Sequence, residues 1–242
     1  MAWFDAVQGN NLSVALKWAP ARQFRLLIQR LHTAALDLIF PPRCAGCGRV
    51  GEQLCAACQN HMRAAAPLCS EAPPLSGVYA AGLFDGPWRS AIHALKYEGQ
   101  RTLAPTLAAY LPAPPPDARL DLIVPVPLYP GRERWRGYNQ AALLADALGA
   151  RLGLAVSAEA LVRARDTRSQ VGLSAQQRRE NVSGAFTAAR GLVAGRRVLL
   201  VDDVVTTGAT MAACAEALRL AGAEAVWAVS LACAPPVNQR TR

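Results

Sequence analysis

The sequence predicts an open, doubly wound α/β domain with a mostly parallel sheet, preceded by a small module built on four cysteines. Three observations predict it. The apolar run Val198 to Val201 ends in Asp202-Asp203 and leads through a Thr-rich loop into an Ala-rich helix that stops near Gly222. Two further apolar runs, Leu122-Ile123-Val124 and Trp227 to Cys233, flank helical stretches, as strands buried on both faces of a parallel sheet require. Upstream stand Cys44-x2-Cys47 and, seven residues later, Cys55-x2-Cys58.

Composition bounds the reading. At 242 residues, 52% of them hydrophobic, the chain can bury a core of its own, and 18 Gly with 17 Pro exclude a collagen-like or low-complexity polymer. Arg22, Arg25, Arg30, His32 and Asp37 interrupt residues 20–40, so no window offers the ~20 apolar residues of a bilayer-spanning helix. Nothing in the first twenty residues reads as a signal peptide, and a cytoplasmic location is expected. The net charge is +9, and all but two of the 26 basic residues are arginine, the exceptions being Lys17 and Lys96. A biased genome would give that ratio too, yet arginine forks match phosphate oxygens two at a time, and the charge favours an anionic partner: substrate phosphates, nucleic acid or both.

Taken in order, residues 1–40 form an amphipathic helical segment. Phe24, Leu27, Ile28, Leu31, Ala35, Leu38 and Ile39 recur at helical spacing until Pro41-Pro42, a stripe that more often packs on a neighbouring module than on a membrane. Over 41–72, the two CxxC pairs have the spacing of a zinc ribbon, with Gly46 and Gly48 allowing the turn around Cys47. Disulfides are the alternative, disfavoured in a chain without a signal peptide. Cys44, Cys47, Cys55 and Cys58 fill all four positions of a tetrahedral site, so the zinc is structural. Cys69 looks like half of a lost second pair, while Cys214 and Cys233 read as small buried hydrophobes.

The main domain is expected over 73–236, with a tail at 237–242. Val78 to Phe84 is strand-like, and a helix starting near Trp88 closes at Lys96-Tyr97; Lys96 either reaches a phosphate as a point charge or is an ordinary surface lysine. Pro125-Val126-Pro127 turn the chain out of the sheet at the carboxyl end of its strand. Arg132, Arg134 and Arg136 alternate before Gly137, an anion site or a solvated basic face, and Asn139-Gln140 open the next helix. Residues 163–183 are polar and basic and read as a long mobile loop, with Arg165, Thr167 and Gln170 as candidate ligand contacts.

Residues 198–210 carry the sharpest chemistry. Paired acids at the carboxyl end of a buried strand suit a vicinal diol, and a helix amino terminus approached through Thr206, Thr207, Gly208, Ala209 and Thr210 suits a phosphate without needing a lysine. A sugar phosphate presents both groups. The string resembles the 5-phosphoribosyl-1-pyrophosphate (PRPP) motif of type I phosphoribosyltransferases, and with the ribbon ahead of it the chain resembles the ComF family of competence-associated proteins. Ala94 to Tyr97, Val124 to Leu128, Arg132 to Gln140 and Arg163 to Asn181 add to that resemblance, which spans about residues 40–235.

The resemblance implies a PRPP–Mg²⁺ site. Asp202, Asp203 and Arg165 would be the catalytic residues, the two acids holding the ribose and Arg165 stabilising the leaving pyrophosphate; the 206–210 loop would hold the 5-phosphate, and Pro125, Val126, Arg132, Arg136 and Lys96 would approach the remaining phosphates. Two functions follow: transfer of the phosphoribosyl group to a nitrogenous base, or a non-catalytic PRPP-sensing protein that engages single-stranded DNA or docks on a competence helicase or another uptake protein. Nothing after Cys233 can build a hood over an acceptor base, so any hood is expected from residues 65–120.

Overall fold

The computed structural model describes residues 41–64, 68–70, 73–165, 177 and 181–234. The amphipathic segment expected over 1–40, the tail at 237–242, and Thr167 and Gln170 lie outside the described residues. The strands are β1 (Leu68–Ser70), β2 (Gly77–Leu83), β3 (Leu122–Pro125), β4 (Leu161–Arg163), β5 (Phe186–Ala188), β6 (Arg197–Val205) and β7 (Ala225–Cys233). The helices are α1 (Ala56–Ala64), α2 (Gly86–Tyr97), α3 (Ala104–Ala108), α4 (Pro130–Arg136), α5 (Gln140–Leu152), α6 (Arg190–Val193) and α7 (Ala209–Leu220). The main sheet runs β1-β2-β7-β6-β3, with the last four strands parallel and β1 antiparallel at the edge.

Strand alternation divides the core in two. On β6, Leu199 and Val201 face α2 and α5, where they meet Trp88, Ile92, Leu95, Leu144 and Leu148. Val198 and Leu200 face the other way, onto Met211, Cys214 and Leu218 of α7 and onto Leu161 and Phe186 of the two-stranded β4-β5 sheet. Both faces of the sheet are therefore covered, which is why its strands are apolar throughout rather than alternating. Local chemistry sets the two ends of α5, whose first residue lines the cavity described below. Asn139 accepts a hydrogen bond from the Ala141 N–H at 2.9 Å to start α5, and Gly153 ends it at φ +68°.

One expectation is met here and one changes. Residues 77–83, the strand-like part of the segment expected to supply a hood, form β2 and pair parallel with β7 inside the sheet. Residues 163–183 are not loop from their first residue, because Arg163 ends β4. Leu161 and Arg163 are buried there while Val162 is exposed, and the Arg163 guanidinium lies over the Phe186 ring at 5.4 Å. A long aliphatic stem lets arginine serve as an inward strand residue, a role that its charge hides in the sequence.

The cysteine module is not a separate bead on the chain. Cys44, Leu54, Cys55, Cys58 and Met62 belong to the same buried cluster as Trp88, Ile92 and Leu95, so the module and α2 share one core.

Candidate functional site

A cavity of about 340 Å³ opens at the carboxyl ends of β3 and β6, the edge where open parallel sheets receive ligands. Asp202 and Asp203 line it together with Thr206, Gly208, Ala209 and Thr210. Gly208, at φ +75°, takes the left-handed turn that starts α7, and the Ala209 N–H points to Thr207 Oγ1 at 3.5 Å. The loop thus presents hydroxyls and a helix amino terminus to the same space as the two acids. Val126, whose N–H donates to the Val201 carbonyl at 2.9 Å, and Arg132 complete the wall on the β3 side.

The two carboxylates stand in different surroundings, because successive strand residues face opposite ways. Asp203 is 3% exposed and forms an ion pair with Lys96, while Gln140 Nε2 donates to its other oxygen at 3.3 Å. Burial alone would raise the Asp203 carboxyl; the Lys96 charge together with hydrogen bonds from Asp202, Lys96 and Gln140 outweighs it and holds the group below the ordinary carboxylate range. Asp202 is half-buried at the cavity wall and accepts the Asp203 N–H at 2.8 Å. Burial and the adjacent Asp203 charge push its carboxyl well up. Gln140 also accepts from Arg136, whose guanidinium lies 5.1 Å from the centre of the Tyr97 ring. α2, β6, α5 and the end of α4 are thereby joined at one point.

Most of the residues singled out in the sequence converge on this cavity, and some do not. Asp202, Asp203, Thr206, Gly208, Ala209, Thr210, Val126, Arg132 and Lys96 line it. Thr207 stands beside it in the turn, Pro125 is buried within β3, and Arg136 reaches it through Gln140. Arg165 does not line it, and donates to the Ser183 carbonyl at 2.6 Å. Arg163 and Gln140 line the cavity and were not singled out. Period-two burial around Leu161 was the available signal for Arg163. For Gln140, the signals were its place directly after the capping Asn139 and at the end of the Arg132 to Gln140 stretch that carries the resemblance.

The four cysteine sulfurs lie within 4.8 Å of one another, the sole such cluster among the described residues. The chain tightens around them: the Gly48 N–H donates to the Cys44 carbonyl at 2.7 Å and the Cys55 N–H to Cys44 Sγ at 3.3 Å. Burial would raise the Cys44 thiol, but backbone N–H groups led by that of Cys55 bring it down to about 6, ready to bind metal as a thiolate. A closed, four-thiolate donor set fits structural zinc. Gly46 has no room for a side chain, since a Cβ there would stand 2.7 Å from Cys58 Sγ and 3.2 Å from Pro87 Cβ. Gly46→Ala is expected to destabilise the fold by about 1–3 kcal/mol, as overpacking does, and to weaken zinc retention about tenfold in a chelator competition; unchanged retention would show that the loop yields freely.

The chain matches the phosphoribosyl transferase domain family over residues 136–241 and the double zinc ribbon domain family over residues 35–73. Over 200 residues it is 33% identical to Competence protein F of Haemophilus influenzae, covering 79% of this chain and 84% of that protein. The chain belongs to the ComF family. DNA utilization protein YhgH of Escherichia coli K12 is 34% identical over 194 residues, 76% of this chain and 85% of that protein. A partial structural likeness extends to an allosteric regulatory enzyme of purine biosynthesis, with TM-score 0.35 and 25% identity over 54% of this chain and 24% of that one. In this ComF family chain the main sheet and its helices form the type I phosphoribosyltransferase fold, behind an amino-terminal zinc ribbon. Among its described residues, no helix is long and apolar enough to cross a membrane.

Proposed function

We propose that the cavity binds PRPP with Mg²⁺ in a protein that serves the use of external DNA. One juxtaposition carries the reading: the 206–210 loop at the start of α7, the Asp202-Asp203 pair and Arg132 share one cavity at the carboxyl edge of the sheet. The loop suits the 5-phosphate, Asp202 suits the ribose diol, and Arg132 and Arg163 suit the pyrophosphate. Asp202 is the carboxylate best disposed to hold the magnesium-bound sugar, since Asp203 already faces Lys96. The metal would screen the charge that develops on leaving pyrophosphate. With a nitrogenous acceptor at the anomeric carbon, the C1–O bond to pyrophosphate would break as a C1–N bond forms, and the acceptor's proton would pass to solvent. The names of the relatives, competence and DNA utilization, support the setting.

A second reading rests on the rim. Trp135 is 74% exposed and Tyr97 is 55% exposed, among Arg132, Arg134 and Arg136. Aromatic faces flanked by arginines suit the bases and phosphates of a single strand. Titration calorimetry of the zinc-loaded protein with PRPP and Mg²⁺, repeated with a single-stranded oligonucleotide present, tests both readings. Binding of PRPP at micromolar concentration is expected, and its absence would overturn the PRPP reading. Oligonucleotide binding that weakens steeply with salt would support the second, whereas a flat salt response would count against it.

A further inference from the structure

One buried ion pair in the cavity stands apart from the groups that suit the ligand's phosphates. Lys96 Nζ meets Asp203 Oδ2 with the two side chains 20% and 4% exposed, and Gln140 Nε2 reaches Asp203 Oδ1 at 3.3 Å. Each carboxylate oxygen is therefore engaged from a different helix. Gln140 is held in turn by Arg136.

We infer that Lys96, with Gln140, is a positioning residue that acts on a bound sugar phosphate through Asp203 rather than by touching a phosphate itself. This rests on the PRPP reading. The geometry argues for it, because the ammonium lies against Asp203 in the wall of the site. Charge argues for it too. A polyphosphorylated sugar entering beside two adjacent ionised carboxylates would be repelled by both; pairing Asp203 with Lys96 leaves Asp202 as the uncompensated acid beside the ligand. The charged and titratable groups acting on Asp203 are Lys96 from α2 and Asp202 on its own strand; the neutral Gln140 amide of α5 donates to it, with Arg136 of α4 behind that amide and Tyr97 beside Lys96. Lys96 is the one cation among them in direct contact with the carboxylate.

A double-mutant cycle separates action through Asp203 from direct contact. PRPP–Mg²⁺ affinity is measured by calorimetry for the unaltered protein, Lys96→Met, Asp203→Asn and the double variant. Lys96→Met is expected to weaken binding about tenfold or more in the unaltered background and less than about twofold in the Asp203→Asn background. Equal losses in both backgrounds would show Lys96 touching the ligand and would overturn the inference. Should Lys96→Met fold poorly, the comparison of Asp203→Asn with the double variant, which leaves no buried unpaired ion, still decides the point, and Lys96→Arg should restore most of the affinity. Melting curves supply an independent readout. Lys96→Met leaves the buried Asp203 carboxylate without its cation and should melt below the double variant, in which that carboxylate is gone. If the unaltered protein fails to bind PRPP, the proposed function and this inference fall together; if it binds and the cycle is additive, only the inference falls.

Discussion

Asp202→Asn is expected to weaken PRPP binding about 100-fold while leaving the protein at least as stable as before. The affinity loss follows from removing the charge that accepts the ribose hydroxyls, where one or two charge-assisted hydrogen bonds are worth about 3 kcal/mol. Asparagine keeps an oxygen where Asp202 Oδ1 accepts the Asp203 N–H at 2.8 Å, so the end of β6 retains its shape. The stability effect has the opposite sign. Burial and the neighbouring Asp203 charge hold the Asp202 carboxyl well above its ordinary value. A group raised on folding contributes stability at low pH that is lost as pH rises through its folded value, so at pH 8 the native chain carries a strained pair of charges. Removing one should raise the melting temperature by about 2–4 °C, the shift expected for about 1 kcal/mol in a domain of this size. Calorimetry and thermal melts at pH 6 and pH 8 check both arms. Affinity retained within threefold would remove Asp202 from the site.

What was legible in the sequence is what is contiguous. The strand, the acids and the phosphate loop occupy thirteen successive residues, so their chemistry and order can be read without knowing the fold. The cysteine pairs are legible for the same reason. Contacts across long separations are not: Gln140 meets Asp203 from 63 residues away, and nothing local marks either as the other's partner. Lys96 illustrates the difference. Its rarity drew attention to it, yet a phosphate or open solvent was the natural partner for a lone lysine, and only the packing of α2 against β6 brings it to Asp203. The unlike surroundings of Asp202 and Asp203 were available from strand alternation, since neighbours on β6 must face opposite layers. Arg165 and Arg163 show the same difference within one stretch. The resemblance drew attention to Arg165, which donates to the Ser183 carbonyl, while Arg163, folded into β4, lines the cavity.

Cys44→Ser should lose nearly all bound zinc, and its effect should travel well past the ribbon. A serine hydroxyl is a poor substitute for thiolate at a closed four-sulfur site, and structural zinc sites contribute about 10–16 kcal/mol of apparent binding free energy, comparable with the whole stability of a domain. Cys44, Cys55, Cys58 and Met62 are buried in one cluster with Trp88, Ile92 and Leu95 of α2. Gly46 sits against Cys58 and Pro87, and Gln53 Nε2 donates to Thr102 Oγ1 at 3.0 Å just beyond that helix. Losing the metal therefore removes one side of the core that holds α2, and α2 carries Lys96 to Asp203 at its other end. The expected result is a drop in melting temperature of more than about 10 °C, since several kcal/mol are at stake, together with weaker PRPP binding than the unaltered protein shows. Stripping zinc from the unaltered protein with a chelator should reproduce both effects, and adding zinc back should reverse them. Metal analysis and parallel calorimetry check the outcome. Stoichiometric zinc in Cys44→Ser would refute the four-sulfur site, whereas zinc loss with full PRPP affinity would mean that α2 stands on the sheet without help from the ribbon.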